Sequence, residues 1–366
     1  MSPASAAVPA PRVVRTGPRG LGNPVSEFSA LLHTIRDAGL LRRRRGFYIA
    51  MFATLVTLTA GAFVGFAMLH NSWFILIIAG VLGILFTQFA FLAHEAGHRQ
   101  VFESGKANEF SARILADFFV GISYSWWTNK HTRHHGNPNT DGKDPDIAPD
   151  FVVFQEKDAA AAKGIYAKLI RRQGWLFYPA MLLEGLNLHQ HAYRTLFSKG
   201  KVDKRALSIV LIMVRNVAYL SVVFYFLPLG MGFAFLGVQL AIFGLYMGSS
   251  FAPNHVGMPI LPAESRVDFL RRQVLTSRNV SGGGFMNIFM GGLNFQVEHH
   301  LFPSMPRPHL RKASEIVREY CAVRDIPYTE TNLAQAHAIV IAHMHTVGLA
   351  AAGKGFDCPT AMRYGG

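Results

Sequence analysis

The chain has 366 residues, half of them hydrophobic and 29 of them phenylalanine, with a mean hydropathy of +0.22. Its net charge of +14 favours an anionic membrane face or a phosphorylated substrate; no nucleic-acid module accompanies the charge, so nucleic acid is excluded as the partner. Two cysteines, Cys321 and Cys358, are too few for a disulfide framework or a thiolate cluster, which leaves histidine and oxygen as the ligands of any metal.

Residues 1–25 are rich in Ala, Pro, Arg and Gly and lack the apolar segment of a cleavable leader, so they are expected to be a disordered basic tail, within a lead-in that ends at residue 45. Apolar runs follow at 47–69 and 72–93, separated by His70 and Asn71. Each is close to the ~20 residues that a helix needs to cross a bilayer, and the short link makes them a hairpin. A second pair, 206–227 and 232–252, flanks a Pro/Gly turn at 228–231. The expected fold is all-α and integral to the membrane, with four transmembrane helices in two hairpins and a cytoplasmic helical cap. Arg42–Arg45 precede the first run, Lys199, Lys201, Lys204 and Arg205 the third, and Arg266, Arg271 and Arg272 follow the fourth. This asymmetry puts the N-terminus, the middle of the chain and the C-terminal segment in the cytoplasm.

Between the pairs, residues 175–188 are apolar but too short to span, and read as an interfacial helix with Trp175 and Tyr178 at head-group level. Residues 308–323 have the period of an amphipathic helix, and 326–366 are expected to be a cytoplasmic extension. Arg215 falls inside the third run; it either snorkels to the interface or binds an acyl carboxylate or head-group phosphate.

Sixteen histidines are present, and seven stand in three clusters. His94 and His98 are spaced i, i+4. His131, His134 and His135 are spaced i, i+3, i+4, and Gln296, His299 and His300 repeat that pattern with an amide in first place. These spacings put side chains on one helix face. All three clusters lie at the cytoplasmic ends of expected spans. So many imidazoles exceed what one metal can use, which implies two ions, and imidazole suits Zn, Cu, Fe or Ni. Iron beside a lipid phase suits O₂ activation against an unactivated C–H bond, whereas zinc has no redox chemistry. His189 and His191 form a weaker pair, read as a helix end at the head groups or as further ligands. His33, His70, His309, His337, His343 and His345 are read as non-ligands. Glu95, Asp141, Asp144, Asp146 and Glu298 are candidates to orient imidazoles from behind, or are simply solvated carboxylates.

The three clusters resemble the histidine boxes of membrane-bound fatty-acid desaturases, H-x-x-x-H, H-x-x-H-H and [HQ]-x-x-H-H. The resemblance covers residues 46–325, and the form QVEHH, with the runs at 136–147 and 301–310, is similar to the front-end or linoleoyl-type branch found in actinobacteria. It implies two non-haem irons held by His94, His98, His131, His134, His135, His299 and His300, with His255 as a further ligand. It also implies roles for Gln296 as a ligand or water-holder and for Asn254 through water. The implied enzyme sits in a bacterial cell membrane with its active site on the cytoplasmic face, and uses O₂ to desaturate a fatty-acyl chain carried by CoA or phospholipid. Flavin, nicotinamide and His-Pro-Gly-Gly haem signatures are missing from the sequence, so a separate ferredoxin or flavin reductase is expected to supply electrons. A hydroxylase or ketolase of the same superfamily, a membrane metal carrier and a lipid-binding scaffold stay open as alternatives.

Overall fold

The computed structural model describes residues 24–351, which are mostly helical. The chain runs through α1 (Pro24–Asp37), α2 (Arg45–Leu69), α3 (Ile75–Gly97) and α4 (Gly105–Arg113), then a π-helical stretch (Ile114–Val120). There follow α5 (Tyr124–Gly136), α6 (Glu156–Ala161), α7 (Gly164–Ile170), the long α8 (Gln173–Leu196), α9 (Arg205–Phe226) and α10 (Leu229–His255). The last part holds α11 (Phe269–Leu275), strand β1 (Asn279–Ser281), α12 (Gly283–Phe289), α13 (Gln296–Leu301), α14 (Arg307–Ala322), strand β2 (Glu330–Asn332) and α15 (Leu333–Ala350). β1 and β2 pair in parallel, Asn279 opposite Glu330.

The four expected apolar runs are α2, α3, α9 and α10; without water to satisfy the backbone, such runs can only be helical in a bilayer. Among the described residues a fifth helix, α15, also meets the length and apolarity of a span, but only just, at 18 residues and a mean hydropathy of 1.2. Its place against α8 and α10 was not legible, because His337, His343 and His345 break its apolar run.

α10 is the central helix and lies against α3 and α8. The contact with α8 is backbone to backbone: a Cβ on Gly244 would stand 2.3 Å from the Gly185 nitrogen, so neither position tolerates a side chain. α9 leans on the π-helical stretch more than on α10, with Tyr219 edge-on to Phe63 and Phe86. The expected second hairpin is therefore a sequential pair whose helices have different neighbours.

The lead-in to the first span is partly helix: α1 buries Leu31 and Ile35 completely, in a cluster with Val274, Leu301 and Val317. Most of the expected tail lies outside the described residues. The Arg215 guanidinium lies 4.7 Å from the Tyr219 ring and 5.3 Å from the Phe86 ring, and donates to the Asn216 side chain at 3.0 Å.

Candidate metal centre

Each histidine cluster is delivered by a local device. α3 ends at His94 and His98. α5 is started by Ser123, whose hydroxyl accepts from the Trp126 N–H, and by buried Asp117, which accepts from the Tyr124 N–H at 2.7 Å. The third cluster follows a turn at Gly291 and Gly292, both with positive φ, where a Cβ on Gly291 would come within 2.4 Å of Phe91 on α3. That close approach sets α13 against the end of α3. A buried ion pair fixes the same junction: the Arg307 guanidinium grips Glu95 in a fork at 2.7 and 2.5 Å. Tyr48 accepts from the Arg307 N–H and donates to Gln100, whose amide donates to the Pro303 carbonyl. Removing one partner of such a buried pair typically costs about 3–5 kcal/mol.

The eight candidate imidazoles collapse into two groups. In the first, one ring nitrogen each of His94, His98, His131, His135 and His299 lies within 4.8 Å of all the others. The Nε2 atoms of His94, His98 and His135 stand 3.0, 2.8 and 3.0 Å from His131 Nε2. In the second, His134, His255 and His300 meet the same limit.

Hydrogen bonding explains the second group well and the first poorly. His134 Nδ1–H donates to Asp144 at 3.0 Å, His255 Nδ1–H to the Thr276 carbonyl at 2.9 Å, and His300 Nδ1–H to the Gln273 side-chain carbonyl at 3.0 Å. Each ring thus keeps its Nε2 lone pair for the interior. The Gln273 amide also donates to the His135 carbonyl, joining the two groups. In the first group three nitrogens crowd one, though a neutral imidazole has a single N–H to offer. Among the described residues His299 Nε2 and His300 Nε2 are buried without a partner. A cation resolves both features, since nitrogens about 2.1 Å from one ion and at right angles lie about 3 Å apart. Burial holds His131, His135, His299 and His300 well below the usual imidazole range, reinforced by neighbouring imidazoles, and His98 falls to about 3 for the same reasons. They are neutral, the state a ligand needs. For His134 burial also lowers, but Asp146 and Asp144 outweigh it and raise the ring.

Gln296 and Asn254 join the second group. Gln296 Nε2 lies 2.9 Å from His255 Nε2, and Gln296 Oε1 accepts from the Asn254 amide at 3.0 Å. His189 and His191 join neither group: His189 donates to the Gly185 carbonyl and His191 faces Asp150 at 3.3 Å. The six histidines expected to be non-ligands also stay outside both groups. Of the five carboxylates considered, Asp144 and Asp146 reach an imidazole. Glu95 is spent on Arg307, Asp141 on Lys157, and Glu298 on Asn279 and Tyr328. Gln273 and Thr276 gave no signal in sequence, standing alone on a short helix and its end.

A cavity of about 370 Å³ reaches both groups, at His94 and His131 on one side and His134, His255 and Gln296 on the other. Ala93, Ala116, Val120, Ile122, Met247 and Phe251 give it apolar walls.

Residues 71–332 match the family model described as "Fatty acid desaturase". The chain is similar to the Delta(8)-fatty-acid desaturase 2 of Arabidopsis thaliana, 31% identical over 307 residues that cover 79% of this chain and 68% of the relative. It is also similar to the Delta(8)-fatty-acid desaturase of Borago officinalis, at 27% over 89% of this chain and 76% of the relative. The Delta(6)-fatty-acid desaturase fat-3 of Caenorhabditis elegans is 29% identical over 83% of this chain and 71% of its own length.

Proposed function

The chain belongs to the fatty acid desaturase family, and from that premise we propose that it is a membrane diiron desaturase of the front-end type, working on the cytoplasmic face. The observation that carries this reading is the gathering of eight imidazoles, from four parts of the chain, into two groups on the wall of an apolar cavity. His94, His98, His131, His135 and His299 would hold one iron, and His134, His255 and His300 the other. Bound there, the irons would supply one-electron redox chemistry and O₂ activation, which no side chain provides.

The remaining work belongs to the protein. Asp144, Thr276 and Gln273 keep the Nδ1 protons in place, so that three Nε2 atoms stay aimed inward. Arg307 and Glu95 bind the first cluster to the third. The cavity holds a saturated stretch of the acyl chain beside the histidines and keeps bulk water from it. Gln296 faces His255 with its amide nitrogen, and its Oε1 accepts from Asn254, so Asn254 fixes the amide that stands beside the group of three. Electrons arrive from a separate ferredoxin or flavin reductase.

Fatty-acid profiling after heterologous expression, with iron measured on the purified protein, tests the reading. The expected outcome is a new double bond and about two irons per chain. Product that retains an oxygen atom would instead make the enzyme a hydroxylase. Bound metal without any lipid product would favour a carrier.

A further inference from the structure

Residues 279–297, between Arg278 and Glu298, carry no charged side chain, and α12 lies in the middle of them. It exposes Phe285 and Ile288, at 72% and 66%, beside Gly283 and Gly284. Its other face buries Met286, and Met290 just beyond the helix, against Phe91 and Tyr246. The exposed side is thus apolar throughout, in a protein whose net charge is +14.

What surrounds that side is set by where α12 sits on the spans. Ile77, Val81 and Ile84 of α3, spaced by four and three residues, form one stripe exposed at 62%, 38% and 47%. On a membrane span such a stripe faces lipid. Gln88 is its next position, and there α12 takes over. The Gln88 amide donates to the Ile288 carbonyl at 3.1 Å and to the Tyr246 hydroxyl at 2.7 Å. Tyr246, on α10, donates in turn to the Phe289 carbonyl at 2.6 Å. The last carbonyls of a helix lack partners within it, and at a wet surface water would serve. Here polar side chains carried on the spans themselves serve, as backbone requires where water is absent. Gln88 stands thirteen residues beyond Ile75, and Tyr246 seventeen beyond Leu229. That is about 20 and 26 Å along helices that cross a hydrocarbon core of about 30 Å. α12 therefore lies about 4–10 Å inside the edge of the core on the histidine side, close to the depth at which an interfacial helix buries its apolar face.

We propose that α12 is a re-entrant segment embedded in the leaflet on the histidine side, with Phe285 and Ile288 against lipid acyl chains. The chain that leads through Gly291 and Gly292 into the third histidine cluster is then held from within the membrane. The membrane placement of α3 and α10 is the premise; the desaturase chemistry is not.

The test uses full-length, iron-loaded protein carrying Cys321→Ala and Cys358→Ser, with Phe285→Cys, Ile288→Cys, Val81→Cys or Glu315→Cys added singly. Each is labelled with nitrobenzoxadiazole and reconstituted into phosphatidylcholine vesicles. Val81 is the lipid reference and Glu315, exposed on α14, the water reference. Iron content at the level of the unlabelled parent confirms folding, and either α12 position alone decides the outcome. Quenching by nitroxide-labelled lipid should exceed quenching by iodide, present on both sides, at least about fivefold at Phe285→Cys and Ile288→Cys, as at Val81→Cys, with the reverse at Glu315→Cys. Quenching mainly by iodide at the α12 positions would put the helix in water and overturn the proposal. Weak quenching by both agents would show the face covered by protein, such as a second copy of the chain, and overturns it equally. Quenching mainly by iodide at Val81→Cys would remove the premise, and the proposal with it.

Discussion

The two histidine groups sit side by side yet are held in different ways. In the group of three, every ring is anchored through Nδ1 by a carboxylate or a carbonyl outside the group. In the group of five the rings lean on one another, and no such anchor is seen among the described residues; the buried Nδ1 of His135 has no partner at all. A site can thus be secured by number of ligands or by fixing few of them firmly. The group of three, with no ligand to spare, depends on its supports.

The largest effect should come from removing one ligand on each side. His134→Ala leaves two imidazoles in its group and should lower iron from about two to about one per chain, with no detectable product. His135→Ala leaves four and should retain both irons while product formation also stops. Iron by elemental analysis and product by mass spectrometry separate the two cases. An active His134→Ala enzyme would end the assignment of the second cluster, and equal iron loss in both variants would erase the contrast.

Gln296 sharpens the same comparison, because it adds an amide to the poorer group. Gln296→Ala should reduce turnover per iron-loaded protein by about 10–100-fold, the range for groups that position a ligand or bind beside it. Gln296→His should recover part of that, since an imidazole can reach the interior from the same place on α13. Near-wild-type turnover by the alanine variant would make Gln296 a packing residue.

Much of this was legible from spacing alone. The i, i+3 and i+4 patterns located seven imidazoles, since helix geometry turns such spacings into one face. The apolar runs located α2, α3, α9 and α10. His255 and Asn254 came through resemblance, because a lone histidine at a helix end carries no period. The supports were hidden for a different reason. Gln273 reaches His300 across 27 residues and Arg307 reaches Glu95 across 212, and such pairings belong to the tertiary fold. Glu95 shows the hazard of reasoning from sequence neighbours: it lies between two candidate ligands yet serves the ion pair. α1 was hidden by its setting, an ordinary amphipathic turn of chain beside a basic tail, and only its docking onto the α11–α14 region buries Leu31 and Ile35.

The smallest expected effect distinguishes two carboxylates that sequence could not tell apart. Asp144 and Asp146 both come near His134 Nδ1, at 3.0 and 3.3 Å. Asp144 is enclosed, and besides the imidazole it accepts from the Asn139 N–H at 2.7 Å and the Asp146 N–H at 2.9 Å. Its orientation is fixed by those bonds, so it in turn fixes the ring. The Asp146 side chain is 38% exposed and is drawn away by Lys130 at 2.9 Å. Asp144→Ala should therefore weaken iron binding by the group of three about 10–100-fold, as loss of an orienting partner does. Asp144→Asn, which keeps one acceptor oxygen, should fall between that and wild type. Asp146→Ala should change iron affinity less than about fivefold, because exposed ion pairs are worth about 0–1 kcal/mol. Competition with a chelator, following the second iron released, measures all three. A loss for Asp146→Ala as large as for Asp144→Ala would show that net negative charge, rather than one fixed hydrogen bond, holds His134 in place.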